Sequence, residues 1–279
     1  MTTTTSSTHE PAFVCGTLPE NVSAVFFDID GTFFSHKLGH IPEGYVEMVQ
    51  ALRKGGVKCA LSTARSYELI VNLLGDQAGL WDGIVAGNGS FVHDENLNFL
   101  FEKTIPDATA RKVIEIGRKH GAGFFVSGTS VFIFDMNPAV QAKLDANSVA
   151  DGIPVHDPRK EDHLSVMSVC HPNAREMEED LSKIDGLFVQ YTPQSADISR
   201  DDLSKFEGIS ILMDYWNLPT QNYAAFGDSF NDMEMFKHAA MPVAVHEAEE
   251  YVAKHVDTKT PPVEEGGIVA WMKQEGWLK

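Results

Sequence analysis

Asp28 and Asp30 stand one residue apart at the end of an apolar run, VSAVFFDI over residues 22–29, and Gly31-Thr32 follow at once. Side chains alternate along a strand, so the two carboxylates share a face and repel each other unless a cation lies between them. Mg2+ answers that conflict: it is a hard ion that takes oxygen ligands and keeps several waters, so one or two carboxylates and a phosphate oxygen suit it. Asp228, in the string GDSFND over residues 227–232, brings a further carboxylate to the end of a later apolar run. The competing reading of DIDGT is an acidic turn in which Asp30 caps the next segment. Thr63, Lys205, Asn231 and Asp232, each taken alone, read as a helix cap, a surface lysine and two N-capping residues.

The elements that must position these groups are legible as periodicity. Residues 22–29 and 57–61 (VKCAL) are short β-branched and aromatic runs, each halted by polar residues, as buried parallel strands are. Between them residues 44–54 repeat apolar Val46, Val49 and Leu52 at a spacing of three and stop at Gly55-Gly56, which predicts a helix. Residues 67–74 predict a second helix, 84–86 a third strand ending at Gly87-Asn88-Gly89, and 91–101 a hairpin turning near Asn96. After Pro106 the pattern changes to a helix (107–120), strands at 123–126 and 131–134, and alternating segments to about Tyr191. A helix over 205–216, a strand over 223–226, a helix over 231–238 and a strand over 243–245 resume the first pattern. The expected architecture is α/β: a Rossmann-like, doubly wound parallel-sheet core (21–104 and 192–279) with an inserted α+β cap (105–191) and a flexible tail (1–20). Ligands of such sheets bind at the carboxyl ends of the strands.

Composition narrows the partners. Twenty-two basic against forty acidic residues give a net charge of −18, which repels nucleic-acid backbone and anionic membranes. A phosphate site in such a chain needs concentrated positive charge from a metal or a few placed cations. Cys15, Cys59 and Cys170 are widely spaced with no paired motif, and the polar start carries no apolar leader. No stretch approaches the roughly 18 apolar residues of a membrane span. A cytoplasmic location with reduced thiols is expected, and no heptad or apolar stripe indicates an oligomer. The histidines show no zinc-protease spacing, and no serine-hydrolase or Walker-type motif occurs.

Four strings occur in order: VFFDIDGT, LSTAR, DLSKFEGI and GDSFNDMEMF. Together they resemble the haloacid dehalogenase superfamily, and within it the Cof-type phosphatases with a large α/β cap, from about Val22 to the C-terminus. That resemblance implies an Mg2+-dependent phosphatase acting on a small phosphorylated metabolite, a sugar phosphate or phosphorylated cofactor, through an aspartyl-phosphate. It makes Asp28 the nucleophile and Asp30 the general acid/base, with Thr63 donating to the phosphoryl group and Lys205 neutralising its charge. Asp28, Asp228 and Asp30, the last also through its backbone carbonyl, would ligate the metal, with Asp232 in support. Gly31, Ala64, Asn88, Gly89 and Asn231 would line the phosphate or substrate, although Asn88-Gly89 is equally an ordinary turn. Arg65 reads as the partner of a surface acid or of an anionic substrate, and His36 and His40 as a solvated loop. Two departures stand out: Ala64 replaces the usual glycine, a strain of roughly 1 kcal/mol if a positive φ is needed there, and Phe206 follows Lys205 where glycine is usual. A phosphomutase of the same superfamily fits the same motifs. A non-catalytic phospho-ligand binder does so less well, because it would be expected to have lost one of Asp28, Asp30, Lys205 or Asp228.

Overall fold

The computed structural model describes residues 12–147, 149 and 152–279. Strands β1 (Ala24–Phe27), β2 (Lys58–Ser62) and β3 (Gly83–Ala86) alternate with helices α1 (Tyr45–Lys54) and α2 (Tyr67–Leu74). A hairpin of β4 (Phe91–Asp94) and β5 (Phe99–Glu102) then leads to α3 (Asp107–Lys119), β6 (Gly123–Ser127), β7 (Val131–Phe134), α4 (Pro138–Ala146), β8 (Val166–Cys170), α5 (Glu178–Leu181), β9 (Leu187–Tyr191) and β10 (Ser195–Arg200). The chain finishes with α6 (Lys205–Tyr215), β11 (Tyr223–Gly227), α7 (Met233–His238), β12 (Met241–Ala244), α8 (Glu250–His255) and α9 (Gly267–Gln274).

The first sheet has the order β12-β11-β1-β2-β3-β4-β5, parallel except for β4 and β5, which close it as an antiparallel edge. Alternation along β1 sorts its side chains between two layers. Val25 and Phe27 join the cluster of Tyr45, Met48, Val49, Ile70, Trp271 and Met272, while Ala24 and Phe26 join Ile209, Leu212, Met213, Met235 and Val252. Helices α1, α2 and α9 therefore cover one face and α6, α7 and α8 the other, the doubly wound arrangement. Both faces of β1 are buried, which is why its sequence is an unbroken apolar run rather than an alternating one.

The second sheet is antiparallel, in the order β7-β6-β8-β10-β9, and all its strands fall between β5 and α6 in the chain. It does not stop at Tyr191: β10 pairs with both β8 and β9, so the inserted unit reaches Arg200 and the expected return to the first sheet at residue 192 is corrected. One face carries α3 and α5 over Phe124, Val126, Val169 and Ile198. The other receives α4 and Leu69 of the first unit over Phe125, Ile133 and Cys170. On that second face the register sets Phe125 opposite Ser168, Ser168 opposite Asp197, and Asp197 opposite Gln190. Of the expected tail over 1–20, residues 1–11 lie outside the described residues. Further on it is not loose: Val14 and Lys279 exchange two 2.9 Å backbone hydrogen bonds, and Gly16 N–H donates to Trp277.

Candidate active site

Four strand ends on the same edge of the first sheet bring the expected residues together. Asp28 follows β1, Thr63 follows β2, Gly87-Asn88-Gly89 follow β3 and Asp228 follows β11. Lys205 arrives from the first turn of α6, which Ser204 caps by accepting from the Phe206 N–H. Two glycines let α6 approach: a Cβ on Gly89, which holds φ +94°, would lie 2.2 Å from the Ser204 carbonyl oxygen, and one on Gly208 would lie 2.3 Å from Val85. Gly89 thus sets the position of the lysine by close backbone packing. Phe206 fills its place by stacking on His238, ring centroids 3.7 Å apart.

Lys205 is fully buried, and its Nζ donates at 2.6 Å to Asp28 Oδ1 and at 2.6 Å to Asp232 Oδ1. Burial opposes its charge, but the two carboxylates outweigh that and hold the ammonium above its usual range. Asp232 is a brace: its second oxygen accepts the backbone N–H groups of Asp228 and Ser229, so both its oxygens are committed. Asp28 is pushed up to about 7 by burial, with Asp232 and Asp30 adding to the rise and Lys205 opposing it. Asp228, pushed well up by burial and by Asp28 and Asp232, keeps a buried Oδ1 with no hydrogen-bond partner.

Oxygens of Asp28, Asp228 and Asp232 lie within 4.8 Å of one another. Because Lys205 and two amides occupy Asp232, the free donors are the second oxygen of Asp28 and the carboxylate of Asp228. The Asp30 backbone carbonyl accepts no backbone hydrogen bond among the described residues. Crowded, unpaired hard oxygens in a buried pocket fit a divalent cation that takes oxygen ligands.

The Asp30 carboxylate does not share that cluster, and the expectation that it faces Asp28 across one ion is corrected. It turns instead to Arg65, whose Nε and Nη2 donate at 2.8 Å and 2.7 Å, and to His36 Nε2 at 2.6 Å. Burial works to raise this carboxyl, but the Arg65 charge and the hydrogen bonds from both partners win and hold it well below the usual carboxylate range. Arg65 is 6% exposed, so it belongs to the site rather than to the surface, and its Nη2 also donates to the Asn147 carbonyl at the end of α4 in the inserted unit. His36 likewise leaves the role of solvated loop residue; His40, bonded to the Ile41 carbonyl, keeps it.

The Thr63 hydroxyl accepts from the Arg65 N–H, which leaves its own proton free to donate. Asn88, at φ 54°, accepts from Asn231 Nδ2 at 3.1 Å, so the two amides stand side by side. Gly31, expected to line the phosphate, spends its N–H on the Phe34 carbonyl; at φ +78° its missing Cβ leaves room for Asp228, whose Oδ2 would otherwise lie 2.7 Å away. Ala64 is not in the left-handed region, so replacing the usual glycine stores no strain.

Residues 25–272 match the family model of haloacid dehalogenase-like hydrolases, nearly the whole chain. The chain belongs to that family. Among its relatives, the putative phosphatase YkrA of Bacillus subtilis is 26% identical over 91% of this chain and 98% of its own length. The 5-amino-6-(5-phospho-D-ribitylamino)uracil phosphatase YitU of the same organism is 24% identical over 90% of this chain and 96% of its own. Among solved structures, the subclass IIB sugar phosphatase BT4131 superposes with a TM-score of 0.81 at 26% identity, covering 91% of this chain and 99% of that one. With these relatives, the haloacid dehalogenase-like fold carries a phosphoric monoester hydrolase.

Proposed function

We propose that this hydrolase is an Mg2+-dependent phosphatase that passes the phosphoryl group of a small metabolite to Asp28 and then to water. One observation carries the reading: a fully buried Lys205 held between Asp28 and Asp232, beside an Asp228 oxygen with no partner. The free oxygen of Asp28 attacks phosphorus and the bond to the substrate's alcohol breaks, with Asp30 giving that oxygen a proton. Water then attacks the phosphorus of the aspartyl-phosphate, Asp30 takes its proton, and the bond to Asp28 breaks to release inorganic phosphate. With Arg65 and His36 upon it Asp30 is ionised, the state needed to accept that proton. Acting as the acid requires those contacts to loosen as the substrate's charge enters.

Lys205, the Thr63 hydroxyl and the Asn88 and Asn231 amides surround the place where phosphoryl oxygens collect charge. Asp28, Asp228 and the Asp30 carbonyl would hold Mg2+, which would supply further neutralisation of those oxygens. The inserted unit acts as a cap that excludes water and selects the substrate. Sugar phosphates and phosphorylated cofactors fit this reading, given the sugar phosphatase and the ribitylaminouracil phosphatase among the relatives. A cytoplasmic setting accords with three free cysteines. Asp28→Asn is expected to abolish p-nitrophenyl phosphate turnover in Mg2+ while circular dichroism and melting temperature show an intact fold. Wild-type turnover by that variant would overturn the assignment.

A further inference from the structure

Acidic residues outnumber basic ones 40 to 22, so the cations of this chain have carboxylates to spare. Five of the seven arginines are ion-paired: Arg53, Arg65, Arg118, Arg175 and Arg200. Arg111 and Arg159 pair with no carboxylate among the described residues, and both line a single crevice of about 480 Å³ in the inserted unit. Lys160, likewise without an ion pair among the described residues, lines it beside them, and Arg118 adds a third guanidinium. Three uncompensated cations gathered in one concavity focus a positive field against the sign of the chain as a whole.

The crevice has two charged walls and an apolar floor. Helix α3 forms one wall with Arg111 and Arg118, and the segment 157–164 forms the other with Arg159, Lys160 and His163. Ala110, Ile114 and Leu164, all buried, make the floor. They belong to the cluster on the α3 face of the second sheet, whereas Leu69 of the first unit packs on the opposite face. No lining residue is shared with the site around Asp28 and Lys205. The second wall also holds the entry to the inserted unit: the Leu164 carbonyl accepts the Ile105 N–H at 2.7 Å, and His163 hydrogen-bonds Glu102 of β5.

Three carboxylates line the crevice too. Asp157 is spent on Arg118 at 2.5 Å, and Arg118 also holds Asp135 at 2.6 Å. Asp107 and Glu115 stand four residues to either side of Arg111 on α3, and neither pairs with a cation among the described residues. They are left to accept hydrogen bonds from hydroxyl or amino groups of a ligand. A guanidinium is a planar fork that meets two phosphate oxygens at once, and forks on opposite walls suit more than one phosphate. A single phosphate monoester carries at most about two negative charges, fewer than the three unpaired cations.

We infer that this crevice is a second anion site, separate from the active site, for a small diphosphate-bearing metabolite, and that filling it fastens α3 and the linker before it to the segment 157–164. Arg111 and Arg159 are the residues that recognise the phosphates.

The test titrates methylenediphosphonate, whose P–C–P bridge resists hydrolysis, into the full chain in chelator at low salt, by calorimetry, with inorganic phosphate as the second ligand. Methylenediphosphonate should bind more tightly than inorganic phosphate, and Arg111→Gln with Arg159→Gln should weaken it by about tenfold or more, the scale of lost hydrogen bonds to a charged group. Hydrogen exchange on the wild-type complex should slow in residues 103–119 and 157–164. Equal affinity in wild type and the double variant, inorganic phosphate binding as tightly as methylenediphosphonate, or protection confined to the loops that carry Asp28, Asn88 and Asp228 overturns the site. So does the lack of any binding by wild type below about 1 mM.

Discussion

Replacing Lys205 by Met keeps most of the side chain's length and removes only the charge. Among the described residues its ammonium is the sole cation touching Asp28 and Asp232, through two 2.6 Å bonds at a site with no solvent exposure. Breaking a buried ion pair by deleting one partner costs about 3 to 5 kcal/mol, because the other charge stays buried. Against a total stability of about 5 to 15 kcal/mol, that lowers the melting temperature by about 6 to 20 °C. The loss should depend on pH. Asp28 already stands at about 7 with the lysine present, and without it Asp28 rises further. A carboxyl raised in the folded state destabilises it above its unfolded pKa, increasingly until pH reaches the folded value. The difference between wild type and variant is therefore largest near pH 8 and shrinks toward pH 5.5, by about 1.4 kcal/mol per unit for each extra proton the folded variant binds. Urea denaturation in chelator at several pH values measures it. A loss below about 1 kcal/mol at pH 7.5, or one that does not vary with pH, would refute the claim that Lys205 neutralises buried carboxylates.

Three further outcomes are expected. Gly31→Ala puts a Cβ 2.7 Å from Asp228 Oδ2 at φ +78°, so stability should fall by about 1 to 2 kcal/mol and the melting-temperature gain on adding Mg2+ should shrink; an unchanged gain would deny that Asp228 binds the ion. Mg2+ must displace the proton that Asp28 holds below about 7, so calorimetry should show its affinity weakening by up to about tenfold per unit as pH falls below that point, with proton release. Arg65→Met removes the partner that holds Asp30 down. Its folded pKa is depressed, so the lost stability is about 1 to 2 kcal/mol, constant from pH 7 to 5 and fading only below about 4, where the unfolded carboxyl titrates; denaturation curves across that range check it.

The parallel core was legible because its strands are buried on both faces and stop at chemistry. VFFDID, ALST and FGD each pass from apolar to polar where strand becomes loop, and the order of the strings marks one sheet edge. Strand β10 was hidden for the opposite reason. SADISR carries only two apolar residues, Ala196 and Ile198, and follows the turn-type string Thr192-Pro193-Gln194, so its short alternation reads as loop. Arg65 and Asp30 are thirty-five positions apart, and nothing in periodicity says that the residue after Ala64 bends back to an aspartate rather than outward to one of the other acids. His36 was obscured by its place in a loop, where a polar residue reads as solvated.

The most direct test of the mechanism is to trap the covalent intermediate. Wild type and Asp30→Asn are mixed with substrate in Mg2+ for less than one turnover, quenched in acid, digested and weighed by mass spectrometry. Phosphate is expected on the peptide containing Asp28 in wild type and absent in Asp28→Asn; with p-nitrophenyl phosphate, whose leaving group needs no acid, it should accumulate further in Asp30→Asn because the group that activates water is missing. Inorganic phosphate released by wild type in the same interval with no label on that peptide, or a label on another residue, would contradict it.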